Sequence, residues 1–167
     1  MLYNEHMIEQ FFIENGDVIL KLTVAVVIGM LIGAERRFVH KEAGMKTHSL
    51  VALGAALFVI ISEYLSLKYA GFNGFNPGMI AANVIVGIGF LGAGSIIFSG
   101  SRLRGLTTAG GLWVTAGIGM ACGLGYFSLA IISAVLVLIV FVLMSVLEKP
   151  IIKISDENFE KNGNISE

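Results

Sequence analysis

Charge is what this 167-residue sequence has least of. Asp, Glu, Lys and Arg together make up 14% of it, against 56% hydrophobic residues. Soluble domains carry about 25% charged residues, so too few polar groups are present to coat a water-facing globule. No charged residue occurs from Tyr69 to Ser101, and none occurs from Leu106 to Leu147. Cysteine is nearly absent. The single Cys122 excludes an intrachain disulfide and a paired-cysteine metal or redox site, and its apolar, glycine-rich setting suits a small packing residue. No basic stripe is large enough to track a phosphate backbone, so nucleic acid is not an expected partner. The composition therefore excludes a soluble enzyme, a disordered chain and a disulfide-stapled secreted domain. What is present in abundance is apolar sequence in runs long enough to cross a bilayer.

Five spans are expected, at about residues 17–34, 47–67, 79–98, 106–124 and 126–147. The 42 residues from Leu106 to Leu147 are about twice the ~20 that one helix needs. The segment Gly123-Leu-Gly125-Tyr-Phe-Ser128 holds the most plausible turn. Lipid cannot satisfy open backbone groups, and the alternation of a barrel is missing, so the expected fold class is an all-α membrane protein. Nine of the 11 Lys and Arg residues fall on one side of this arrangement: Arg36, Arg37, Lys41, Lys46, Arg102, Arg104, Lys149, Lys153 and Lys161. The positive-inside rule then places the N-terminus outside and the C-terminus in the cytoplasm. Residues 1–16 would form an extracytoplasmic segment, either a short interfacial helix carrying Ile8, Phe11 and Phe12 or a frayed tail. Without a positive n-region, the first span is expected to be an anchor rather than a cleaved leader. Residues 149–167 would form a cytoplasmic tail.

An internal echo runs through the chain. Ile28-Gly-Met-Leu-Ile-Gly-Ala34 resembles Ile88-Gly-Phe-Leu-Gly-Ala-Gly94, and Gly44-Met-Lys-Thr47 resembles Gly105-Leu-Thr-Thr108, at offsets of 60 and 61 residues. Two readings stay open: a parallel repeat of two helical hairpins with a fifth helix added, or chance similarity of glycine-rich segments. Glycine is the other abundant residue, with 12 of 21 lying between Gly87 and Gly125. Gly29 with Gly33, and Gly119 with Gly123, put smooth strips on helix faces. Gly87, Gly89, Gly92 and Gly94 leave the third span bare on more than one side. These strips suit tight packing within the monomer, a homo-oligomer seam, or a helix that unwinds to offer carbonyls to an ion.

Polar residues gather at the expected cytoplasmic ends of the spans: Glu35, Arg36, Thr47, His48, Arg104, Thr107 and Thr108. Glu35 needs a cationic partner near lipid, and Arg104 is the first candidate. The layer is either a salt-bridge belt that fixes the loops, or the mouth of a polar pathway or a docking surface. Within the apolar helices, Asn83, Ser95 and Thr115 are expected to make interhelical hydrogen bonds of about 0.6 kcal/mol each. His6, His40 and His48 lack metal-ligand spacing. Glu35 and Glu63, on opposite sides, do not make a dry magnesium cage. No nucleophile, base and orienter occur together, so no enzymatic activity is expected.

Several of these segments resemble a known family. Gly33-Ala-Glu-Arg-Arg37 followed by Ala43-Gly-Met-Lys-Thr-His-Ser-Leu-Val-Ala-Leu-Gly54 is similar to the first cytoplasmic loop and second span of MgtC/SapB membrane proteins. Gly87-Ile-Gly-Phe-Leu-Gly-Ala-Gly94, Arg104-Gly-Leu-Thr-Thr-Ala109, Leu112-Trp113 and Ala116-Gly-Ile-Gly119 are similar to that family's third and fourth spans. The resemblance covers roughly residues 18–147. It implies a five-span bacterial inner-membrane protein tied to magnesium homeostasis and growth at low magnesium, with Mg2+ as a transported or sensed ion. For some members it implies inhibition of the proton-translocating ATP synthase as a partner complex. The residues it carries over are Glu35, Arg36, Thr47, His48, Arg104, Thr107 and Thr108. The family's usual Gly-Leu-Glu-Arg stands here as Gly33-Ala-Glu-Arg36. The sequence reads as a short form without the soluble C-terminal domain. Two functions follow as expectations: a non-enzymatic regulator that binds another membrane complex, or a divalent-cation transporter or channel.

Overall fold

The computed structural model describes the backbone of residues 2–70, 76, 78–100 and 102–163, and the side chains of residues 10–70, 76, 78–100 and 103–147. Five helices account for nearly all of it: α1 (Leu2–Phe38), α2 (Met45–Lys68), α3 (Gly78–Gly94), α4 (Leu106–Gly123) and α5 (Phe127–Gly163). Three described segments are long and apolar enough to cross a membrane: Gln10–Phe38, Met45–Lys68 and Phe127–Leu147. The shorter apolar helix α3 has 17 residues, about 25 Å at 1.5 Å per residue. Large apolar side chains cover the outside of the bundle. Phe90, Phe98 and Val86 are each more than 70% exposed, which makes the surface a lipid-facing one. The chain is a membrane protein.

Two expectations need correction. Residues 2–16 do not form a separate short helix or a frayed tail, because they run without a break into α1. The third span was expected to stay helical to Phe98, but α3 ends at Gly94. A small hairpin follows, β1 (Ile97–Ser99) and β2 (Arg102–Arg104), antiparallel with Ile97 opposite Arg104 and Ser99 opposite Arg102. Among the described residues the fold is therefore helical apart from this two-stranded cap. Gly105 joins the cap to α4 at φ +92°, and a β-carbon there would collide with the carbonyl oxygen of Ser95. Only glycine satisfies both the left-handed backbone and the close approach. The turn between α4 and α5 uses Gly125 at φ +77°, inside the segment where a turn was expected.

The core is built on α2, which packs against α1 on one flank and α4 on the other. A β-carbon on Gly29 would sit 2.6 Å from the His48 carbonyl oxygen, and one on Gly33 would sit 2.5 Å from Met45 Cα. On the opposite flank, Gly119 lies against the backbone of Ala52 and Gly123 against that of Ala56. Both pairs of glycines four residues apart thus serve packing within the monomer. They let backbones touch where hydrophobic force between helices is weak in lipid. Ala25, Ala52, Ala56, Ala121, Cys122 and Ala130 fill the narrow space between the helices. Cys122 is fully buried and acts as a small packing residue.

The glycines of α3 behave differently. Gly92 rests on Ala109 at ordinary contact distance, whereas Gly87, Gly89 and Gly94 face open space. A groove of about 840 Å³ opens between α2 and α3, lined along its length by Lys46, Thr47, Gly54, Phe58, Asn83 and Gly87 among others. At the far end of the bundle from the Arg36–Arg37 loop, Lys21 pairs with Asp17 of its own helix at 2.7 Å and bridges α1 to α2 through Glu63 at 3.6 Å.

Candidate functional site

The polar residues at the basic end of the bundle divide into a buried centre and a surface pocket. Arg36, in the last turn of α1, is 1% exposed although it carries a full charge. Its Nε makes a close ion pair with the carboxylate of the adjacent Glu35. Glu35 therefore pairs within α1 and not with Arg104 across the hairpins as expected. Neighbouring residues can meet here because the helix is ending and the arginine stem turns inward. The Arg36 guanidinium carbon lies 3.5 Å from the centroid of the Phe141 ring of α5. That cation–π contact compensates part of the cost of burying the charge.

His48, in the first turn of α2, is completely buried. Its Nδ1 is 2.8 Å from Thr115 Oγ1 on α4, and that hydroxyl is 2.8 Å from the Gly111 carbonyl oxygen one turn earlier. The expected interhelical role of Thr115 is thus realised, with His48 as the partner. A hydroxyl and a carbonyl oxygen at 2.8 Å repel unless a proton lies between them, so Thr115 donates to Gly111 and has no second proton to give. The His48 Nδ1 must carry its own hydrogen and donate it to Thr115. This assigns the tautomer from the network.

The surface pocket, about 430 Å³, is lined by His40, Lys41, Glu42, Arg104, Thr107 and Thr108 among others. Arg104 and Thr107 are exposed, whereas Thr108 is buried and its hydroxyl donates to the Glu42 carboxylate at 3.5 Å. The loop after α1 is thereby tied to the first turn of α4. Thr47 belongs to neither group and lines the α2–α3 groove. Asn83 lines the same groove and makes no hydrogen bond among the described residues, contrary to expectation. Ser95 also departs from expectation, since its hydroxyl, just past the end of α3, donates back to the Gly92 carbonyl at 2.7 Å.

The sequence reading placed Arg36 and His48 with five other residues in one polar layer but missed Glu42, Gly111 and Phe141. The hydrophobic pattern of α5 marks Phe141 as apolar and nothing more. Gly111 is needed where it stands, because a β-carbon there would lie 3.0 Å from Phe141 Cζ and 3.5 Å from His48 Cε1. Among the described residues, no three His, Cys, Asp or Glu side chains cluster as metal ligands. Chemically, the centre offers a buried guanidinium, which can only donate and so favours ligands that accept a hydrogen bond.

A sequence model of the MgtC family matches residues 22–150. Protein MgtC of Salmonella typhimurium is 45% identical over 126 residues, covering 75% of this chain and 52% of the relative. A protein of Escherichia coli K12 named "Putative magnesium transporter YhiD" is 42% identical over 131 residues, covering 75% of this chain and 60% of its own length. The Synechocystis protein slr0014, named as uncharacterized, is 41% identical over 126 residues, covering 75% and 51%. The chain spans between half and three-fifths of the length of these relatives. No solved structure matches it.

Proposed function

The chain belongs to the MgtC family, and from that premise we propose that it is a multi-pass protein of the bacterial inner membrane that serves magnesium homeostasis by binding and regulating another membrane complex. In this reading all five helices cross the bilayer, the N-terminus is outside, and the basic loops and tail face the cytoplasm. The nine-to-two distribution of Lys and Arg supports that orientation. The protein is non-enzymatic, and the family resemblance makes the proton-translocating ATP synthase one partner to test.

The observation that carries the regulatory reading is the buried Arg36. A guanidinium that is 1% exposed, with one nitrogen unpartnered among the described residues, is buried at the basic end of the bundle. A divalent ion beside it would meet a like charge at low dielectric. The polar pocket of Glu42, Arg104, Thr107 and Thr108 is instead open at the bundle end, where a second protein can reach it. A photo-crosslinking residue at Thr107 should give a discrete adduct with one membrane complex in magnesium-limited cells. The same residue at the lipid-facing Phe90 should not. Equal crosslinking from both positions would remove the support for a docking surface.

A second reading, transport of magnesium or another divalent cation, is favoured by one feature. The α2–α3 groove holds the Asn83 amide, which makes no hydrogen bond among the described residues, with the open glycine Gly87 also in its lining. In that case Asn83→Ala should abolish flux through reconstituted protein.

A further inference from the structure

The groove between α2 and α3 is one leaflet deep. Along α2 its lining runs from Lys46 to Phe58, about 18 Å at 1.5 Å per residue. Half of a bilayer's hydrocarbon core is about 15 Å. The groove therefore starts at the basic end of the bundle and stops near the bilayer midplane, although α2 itself continues to Lys68. Its floor is smooth, because Gly54 and Gly87 both face open space. Its walls are mainly apolar, with Phe58 and Leu91 among them.

The mouth of the groove is positively charged. Lys46 is exposed there, with Thr47 next in the chain. Among the described residues Lys46 is the one charged side chain in the lining, and it makes no ion pair. The nearest carboxylate in sequence, Glu42, is held by Thr108 in the other pocket. The stem of Arg37 borders Gly44, the residue that opens α2. No acidic residue stands in the first turn of α2 and no side chain caps it, so the positive end of the helix adds to the lysine charge.

An occupant must be apolar over one leaflet and anionic at the basic end. A helix of a second copy would run the full ~30 Å of the core. Seated about a two-fold axis along the membrane normal, it would also bring two Lys46 charges to the same end. We propose that the groove binds one anionic phospholipid of the cytoplasmic leaflet, with its phosphate at Lys46 and Thr47 and an acyl chain along Gly54 and Gly87. Basic pockets between transmembrane helices suit anionic headgroups for the same electrostatic reason. The inference rests on α2 and α3 crossing the bilayer and not on the regulatory role, which crosslinking from Thr107 tests separately.

Native mass spectrometry of the full chain released from detergent micelles tests it, with phosphatidylglycerol or phosphatidylcholine of identical oleoyl chains added. One phosphatidylglycerol should be retained about fivefold more tightly than phosphatidylcholine, the factor expected of a single lysine near a headgroup. Lys46→Gln should abolish that preference. Gly54→Leu combined with Gly87→Leu fills the groove from two positions that face open space, and lipid retention should be lost although the protein folds. If the double variant does not fold, the parent and Lys46→Gln still decide. Equal retention of both lipids by the parent, a preference that survives Lys46→Gln, or retention unchanged in the folded double variant would overturn the assignment. So would a lipid-free dimer that the two leucines dissociate, because a second copy would then occupy the groove.

Discussion

Gly119→Ala is the smallest perturbation that tests the α2-centred core. The added β-carbon would fall 2.8 Å from Ala52 Cα and 2.9 Å from its carbonyl carbon, and closer still to its oxygen. Carbon atoms pack comfortably at about 3.5–4.0 Å, so α2 and α4 would have to separate by roughly 1 Å at this crossing. The obstructing atoms are all backbone, and no rotamer change relieves them. A gap of 0.5–1 Å forfeits about a quarter to a half of each dispersion contact. Here those contacts belong to Ala52, Ala56, Ile118 and Cys122 of the core. Overpacking of this kind costs about 1–3 kcal/mol, a five- to 150-fold shift in the folding equilibrium. Gly117→Ala is the control. It lies on the same helix facing open space, and the better helix propensity of alanine should leave it neutral or up to about 1 kcal/mol more stable. Reversible unfolding of the detergent-solubilised protein, followed by circular dichroism, compares the two. Equal stability of Gly119→Ala and Gly117→Ala would refute the claim that α2 and α4 touch backbone to backbone.

Thr115→Val strands the His48 Nδ1 hydrogen and should cost about 1–3 kcal/mol. Adding His48→Phe removes the other partner as well, so unfolding of the double variant should show a loss smaller than the sum of the single losses. Phe141→Leu removes the ring beneath the Arg36 guanidinium and should destabilise the protein by about 1–3 kcal/mol in the same assay, from lost volume and the lost cation–π contact. Lys21→Met breaks both ion pairs at the opposite end. Their carboxylates are largely solvated, so the melting temperature should move by the equivalent of less than about 1 kcal/mol. Cys122 is fully buried and should react with a maleimide only after denaturation, which mass spectrometry would show as a labelled unfolded fraction.

Much of the fold was legible because lipid leaves the chain few options. Uncharged apolar runs had to become helices, and the glycine pairs of α1 and α4 suited close approaches, whereas Gly87, Gly89 and Gly94 of α3 face open space. Gly29, Gly33, Gly119 and Gly123 meet backbone across a helix boundary. The hairpin over residues 97–104 escaped that logic. Ile97 and Phe98 extend an apolar run, and only the later backbone of Gly100 and Gly105, both at positive φ, shows that the helix has already stopped. The same limit applied to the candidate site. Sequence could bring Arg36 and His48 to one end of the bundle but could not say that Arg36 turns inward onto Phe141. That contact joins positions 105 residues apart, and no local pattern records it. The Glu35–Arg104 pairing failed for a related reason, since the nearest guanidinium to Glu35 is the one next to it in the chain.

The regulatory reading stands or falls on whether ions pass. Purified protein in liposomes loaded with a magnesium-sensitive dye should show no inward flux above empty vesicles under a magnesium gradient. Flux that saturates with magnesium and disappears in Asn83→Ala would contradict that account and establish the groove between α2 and α3 as a transport path.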